Sequence, residues 1–478
     1  MTITRTNTVR LGLFAIGLDT YWGQFDGLLD ALTGYHREIA GRLGAFGAEL
    51  TDAGMVDTPE KARAAAERFR REGVEVIFLF VSTYALSSTV LPVVQGARAP
   101  VVVLNLQPAP RLDYDAFNAL GDRGVMTGKW LEHCQACSAP EIASVFNRAG
   151  IAYHLVTGYL REEAAWTEIR EWVEASKVRK VMRENRMGLL GHNYGGMLDV
   201  YSDLTQQAAV FGNHFEIVEI CELRRLRDEV TPARLQDKLR QFYEEFTVDP
   251  GCSPAELERA ARTSCALDAL AANHRLGSMA YYYEGQPGNE YEDIVTSVIP
   301  GNTLLTAHGV PVAGEYEVKN AQAMKIMDAF GAGGSFSEIY LMDFEDDVVL
   351  LGHDGPAHAA IAREKVGLVP LPVYHGKPGQ GLSIQMEVRL GPVTLLSVVQ
   401  DGAGRLSLLV AEGESVPGPT LQIGNTNSRY RFPCGARAFV NAWCAAGPAH
   451  HCAIGLGHIA GKIEKLGALL GIEVKRVC

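Results

Sequence analysis

Three short apolar runs near the start of the chain constrain its fold more than any other feature. Arg10–Gly17 (RLGLFAIG), Val74–Val81 (VEVIFLFV) and Val101–Leu104 are rich in β-branched and aromatic residues, and each is too short for a helix. Continuous apolar runs of this kind belong to strands buried on both faces, the condition of a parallel sheet. Between the first two lies Thr58–Arg71, Ala-rich, with Pro59 near the first helical position and its charges on one side. This βαβ rhythm predicts a doubly wound sheet with ligand groups at the carboxyl ends of its strands.

The pattern repeats further on. A charged helical stretch, Arg161–Asn185, leads to an apolar strand at Met187–Leu190 and then to the Gly-rich turn Gly191–Met197 (GHNYGGM). Ser253-Pro254-Ala255-Glu256 has capping-box spacing and opens a helix toward His274. After about Gly331 the texture changes. Ser383–Leu390 (SIQMEVRL) alternates with period two, placing Ile384, Met386, Val388 and Leu390 on one face, and Asp401–Gly404 supplies turn residues before Leu406–Ala411. The expected architecture is two doubly wound, Rossmann- or flavodoxin-like α/β domains, 1–187 and 188–330, followed by a β-rich, barrel-like domain, 331–478.

The charge balance, 44 basic against 56 acidic residues, argues against nucleic-acid binding, whose footprint is a basic face. No run approaches the roughly 20 apolar residues of a membrane span, so no membrane partner is expected. Met1–Thr6 lacks the apolar segment of a secretory signal. The nine cysteines do not read as a disulfide framework, and a reducing cytoplasm is the expected home.

Chemistry concentrates in four places: Glu315 in Ala313-Gly314-Glu315-Tyr316-Glu317, Glu338 in Gly334-Ser335-Phe336-Ser337-Glu338, His353 after Leu351-Gly352, and Ala449-His450-His451-Cys452. Two carboxylates and imidazoles flanked by small residues suit an oxygen- and nitrogen-ligated divalent cation. Spacing alone leaves the plainer reading open, that each is a solvated or hydrogen-bonded side chain.

These segments, in this order, resemble the L-arabinose isomerase family, and supporting similarity runs from Ile16-Gly17 through Thr157-Gly158, Asn193–Met197 and Lys319–Met327. The resemblance implies an aldose–ketose isomerase that passes through an enediol and uses a manganese-type cation. It assigns Glu315, Glu338, His353 and His451 as metal ligands, with Glu315 and Glu338 also catalytic, and a homo-oligomer, in the family a hexamer. Asp19, at a position where the family reads its substrate, is expected at the sugar; the place of Gly191–Met197 at a strand's carboxyl end favours a sugar contact through Met197 or Asn193, with a plain structural turn as the alternative, and His450 is expected at the sugar or as a second ligand or orienting partner. The chain departs from the family at Asp19, where the arabinose enzymes carry Gln, and at Ala119–Arg123 (ALGDR), where they carry a His. Asp accepts hydrogen bonds only, whereas Gln donates and accepts, so a pentose, hexose or deoxysugar other than L-arabinose is expected. Epimerisation at the same site, or a non-catalytic sugar sensor, are the alternative readings.

Other features read more plainly. Cys134-Gln135-Ala136-Cys137 lacks the partners a zinc or redox site needs and reads as buried thiols at a helix end. Adjacent residues on an extended segment point apart, so one of His450 and His451 is expected to face away from the metal. His358 and His375 read as ordinary polar residues, and Tyr281–Tyr283 as strand and core.

Overall fold

A computed structural model describes residues 8–284, 288–374, 377–378 and 381–478. Met1–Thr6 and His375 lie outside the described residues. The chain divides into two compact units, one ending at Lys177 and the other running over Val178–Cys478.

In the N-terminal unit, strands Arg10–Ile16, Glu49–Val56, Val76–Val81, Val101–Gln107 and Tyr153–Tyr159 form one parallel sheet in the spatial order second, first, third, fourth, fifth. All six residues of Val76–Val81 are buried, as expected of a strand covered on both faces. The Pro59–Glu72 helix starts where its chemistry dictates, with Thr58 accepting a hydrogen bond from the Lys61 N–H and Pro59 in the first turn.

The second unit holds two large sheets beside two small ones, and the expected central and C-terminal regions fall together in it. The first sheet is parallel, in the order Val312–Ala313, Ser278–Tyr282, Arg186–Gly191, His214–Val218. The chain leaves Arg186–Gly191 for one neighbour and later returns on its other side. The Gly191–Val200 segment therefore emerges at a topological switch point, where α/β sheets bind ligands. The long helix Pro254–His274 starts at the expected cap, Ser253.

The second sheet is antiparallel around a closed ring: Gly391–Gln400, His451–Leu456, Gly333–Asp343, Val348–His353, Thr426–Arg431, Leu406–Val416 and back to Gly391–Gln400. Closure removes the free edges that an open sheet would expose. Leu351, Leu395, Leu409, Tyr430 and Ile454 belong to the apolar core of this region. The expected β-rich, barrel-like domain is thus a six-stranded barrel, with Glu473–Arg476 added in parallel to Leu406–Val416. The helix Val318–Ala329 is buried from Val318 to Met327.

Three expectations change. The Ser383–Leu390 alternation yields a strand only over Leu382–Gln385, paired with Gly367–Pro370; Ile384, Met386 and Val388 are buried, but Leu390 is exposed. Cys434 and Cys478 form a disulfide with Cα atoms 6.2 Å apart. The last strand carries Cys478 back to the barrel, and cysteine spacing does not reveal that approach. Of the CxxC pair, Cys134 is buried at the N-cap of the Gln135–Ala149 helix, but Cys137 is exposed. Among the described residues no helix is long and apolar enough to cross a membrane.

Candidate metal centre

Glu315 sits in a tight turn between the strand Val312–Ala313 and the helix Val318–Ala329. Glu315 and the next residue, Tyr316, are both left-handed, at φ 55° and 60°. Such backbone costs on the order of 1–3 kcal/mol per residue and persists only where its surroundings hold it. Here the Tyr316 N–H donates to Tyr281 O (3.1 Å) and the Glu317 N–H to Gly314 O (3.0 Å). A Cβ on Gly314 would stand 3.0 Å from the Phe336 ring. The close approach of turn and barrel depends on that missing atom.

The barrel supplies the other groups through strand register. Glu338 lies opposite His451 on one neighbouring strand and opposite Gly352 on the other, with His353 one residue further on. Gly352 admits no side chain, since a Cβ would come within 2.0 Å of Thr426 O. Two residues before Glu338, Phe336 packs against His353 and His451 at ring-centroid distances of 4.4 and 4.3 Å.

Potential ligand atoms of Glu338, His353 and His451 all lie within 4.8 Å of one another, as do those of Glu315, His450 and His451. His451 is fully buried, and its Nδ1–H donates to the equally buried Glu317 carboxylate at 2.6 Å. Because a carboxylate only accepts, Nδ1 carries a proton, which in the singly protonated ring leaves the lone pair at Nε2. That Nε2 stands 3.4 Å from Glu315 Oε2, and neither atom has a hydrogen-bond partner among the described residues. In that form two buried acceptors face each other, an arrangement that a divalent cation between them would satisfy, so the donor set fits a metal.

His353 differs from His451. Its Nε2 lies 4.0 Å from Glu315 Oε1, but its Nδ1 accepts from the Gly355 N–H at 2.9 Å. That bond holds the ring proton on Nε2 in the neutral form, so ligation through Nε2 requires the amide to turn away.

His450 does not face away. Its Nε2 is 3.6 Å from Glu315 Oε2 and 3.9 Å from Glu338 Oε2, and its ring centroid is 3.8 Å from that of His451. The alternation rule fails because the strand begins only at His451. The carboxylate of Glu315, 3.6 Å away, and that of Asp199 together push the His450 imidazole up to about 9. Burial raises the Glu338 carboxyl, and His451 and His450 only partly offset it.

Met197 is half-buried at the end of the turn that follows Arg186–Gly191, and Asp19 is exposed at the start of a short 3-10 turn in the N-terminal unit. Two carboxylates that hold the neighbouring histidines, Glu317 and Asp199, were not expected. Glu317 stood in the Glu315 segment as a flanking residue, and its place just before a helix was the available signal. Asp199, whose Oδ2 lies 2.6 Å from His450 Nδ1, carries no local signature.

Residues 333–473 match the family model described as the L-arabinose isomerase C-terminal domain. An L-arabinose isomerase from Nocardioides sp. is 21% identical over 445 residues, covering 88% of this chain and 84% of that protein. One from Aeromonas salmonicida is 22% identical over 333 residues, covering 67% of this chain and 65% of its own length. A solved ABC-transporter solute-binding protein from Burkholderia multivorans aligns at 12% identity over 57% of this chain and 80% of its own, with a TM-score of 0.17, too low to bear on the fold.

Proposed function

We propose that this chain, a divergent member of the L-arabinose isomerase family, is a metal-dependent aldose–ketose isomerase whose sugar is a pentose, hexose or deoxysugar other than L-arabinose. The observation that carries the reading is the buried pair of acceptors, Glu315 Oε2 and His451 Nε2, 3.4 Å apart with Glu317 on the far side of the imidazole.

In this reading Glu315, Glu338, His353 and His451 hold the cation, Mn2+, which when bound stabilises negative charge developing on the sugar's oxygens. Glu315 and Glu338 move the proton. One carboxylate takes the proton from the carbon beside the carbonyl and returns it to the neighbouring carbon, while the other carries the hydroxyl proton from one sugar oxygen to the other, so the enediol forms and collapses with no net gain or loss of protons. The two sit in one cluster, so acid and base roles belong to the pair rather than to either residue. Phe336 walls the imidazoles on one side. Met197, His450 and Asp19 contact the sugar, and the anionic Asp19 in place of an amide is what shifts specificity. The reading includes the domain division 1–187, 188–330 and 331–478, a cytoplasmic location and a homo-oligomer, a hexamer as in the family.

The test is a screen of aldoses and ketoses, pentoses through deoxyhexoses, with purified protein and added Mn2+, identifying products by chromatography. Turnover of one sugar to its ketose, lost in Glu338→Gln, is the expected result. Turnover unaffected by that substitution would sink the proton-transfer assignment, and a 2-epimer as product would replace isomerisation by epimerisation.

A further inference from the structure

The mechanism above leaves one carboxylate at the centre unexplained. Asp199 follows the switch-point turn and shares no strand or helix with any of the metal-ligand residues. Its Oδ2 accepts two hydrogen bonds from the same residue, from the His450 N–H at 3.0 Å and from His450 Nδ1 at 2.6 Å. The Lys319 ammonium, on the helix that follows Glu315, donates to the Asp199 carbonyl and anchors the turn from behind. A carboxylate that grips both the main chain and the ring of one histidine fixes that ring's rotation as well as its position.

The direction in which the ring is fixed matters. With Nδ1 engaged by Asp199, Nε2 points at the two carboxylates, 3.6 Å from Glu315 and 3.9 Å from Glu338. His451 has the same construction, Glu317 on Nδ1 and Nε2 inward, but is fully buried, whereas His450 keeps about a third of its side chain exposed. The two adjacent imidazoles thus differ in access. One is sealed among protein atoms, and the other lies where an incoming molecule can reach it.

We infer that Asp199 is a positioning residue: by holding His450 through Nδ1 and the main chain, it fixes Nε2 beside the Glu315 and Glu338 carboxylates on the accessible side of the centre, where it meets a sugar oxygen. The inference rests on the isomerase reading and deepens it by naming what sets the substrate-side histidine. The Asp199–His450 pair serves sugar affinity, and the Glu317–His451 pair serves metal affinity.

The test compares Asp199→Ala, Asp199→Asn and Glu317→Ala in the full-length protein. Mn2+ binding is measured by calorimetry on metal-free protein, and KM and kcat on the sugar found by the screen. Thermal unfolding checks that each variant is folded. Asp199→Ala should raise KM about tenfold or more while leaving Mn2+ affinity within about twofold of the parent. Asp199→Asn, which keeps an acceptor oxygen for the Nδ1–H, should recover most of the loss. Glu317→Ala should show the reverse pattern. A fall in Mn2+ affinity in Asp199→Ala equal to that in Glu317→Ala would make His450 a ligand and overturn the inference. An active parent with Asp199→Ala indistinguishable from it would overturn the inference and leave the isomerase reading standing. A parent inactive on every sugar would remove that reading, and with it the substrate that His450 is aimed at.

Discussion

A ligating histidine binds best when a carboxylate takes its other N–H, because the ring is then fixed and more basic. His451 has this support from Glu317, whereas His353 has instead an amide donating into its Nδ1. Glu317→Ala is therefore expected to weaken Mn2+ binding by roughly 10- to 100-fold, and His451→Gln to cost more Mn2+ affinity than His353→Gln. Both are measurable by titrating metal-free protein, and equal losses for the two histidines would refute the distinction. At this scale the sequence was informative about residue type and weak about direction. Glu315, Glu338, His353 and the His450–His451 pair stood out by their small-residue surroundings, and the family resemblance alone singled out His451 as the ligand of that pair. Glu317 and Asp199 did not stand out, since what makes them functional is a hydrogen bond to a histidine 134 or 251 positions away. The orientation of His450 was misread because strand alternation was extended one residue beyond the strand.

Among the elements, the helix Val318–Ala329 decides how the Glu315 turn meets the barrel. Gly334 has φ +116°, and a Cβ there would lie 2.8 Å from Met324 O and 2.9 Å from Met327 Cβ. Gly334→Ala should destabilise the protein by roughly 2–3 kcal/mol through strain and overpacking, visible as a lower Tm; an unchanged Tm would show that helix and strand can separate at no cost. Near the end of this helix, burial would raise the Asp328 carboxyl, but His358 and Lys325 outweigh it and hold it below its ordinary value. Lys325 Nζ is 2.9 Å from Asp328 Oδ2. A carboxylate depressed in the folded state binds protons more readily when unfolded, so its stabilisation is present above the unfolded value, about 3.9. It is lost as pH falls through the lower folded value. Asp328→Asn is expected to cost about 1–3 kcal/mol at neutral pH and to flatten the loss of stability below pH 4; parallel pH–Tm curves for the two proteins would contradict this. The strands and helices of the N-terminal unit were legible because buried parallel strands and capped helices leave local marks. Barrel closure was not, because it depends on which strands meet across long stretches of chain. The Ser383–Leu390 alternation shows the limit, since its pattern continues past the point where its partner strand stops.

For the molecule as a whole, the centre joins a turn and a barrel that otherwise meet through packing and the Glu317–His451 hydrogen bond. Glu315 comes from the strained turn before the helix, while Glu338, His353 and His451 come from three adjacent barrel strands. A cation bound by both should act as a cross-link present only in the folded state, because the unfolded chain does not assemble this donor set. Mass action then sets the size of the effect: about 2.7 kcal/mol of stabilisation at a free metal concentration 100 times Kd. Without metal, the turn keeps its left-handed residues and its Glu315 oxygen stays buried 3.4 Å from His451 Nε2 of the barrel. Stripping the protein with a chelator should therefore lower Tm and abolish turnover together, and Mn2+ should restore both with the same midpoint. Hydrogen exchange should locate the change, with protection lost on chelation in segments 312–317, 333–353 and 449–456. Loss of turnover with neither Tm nor exchange altered would mean that the cation acts only on the sugar and not as a cross-link between turn and barrel. In Glu315→Gln the Tm response to Mn2+ should shrink even if some metal still binds through the barrel residues, because the link to the turn would then be missing.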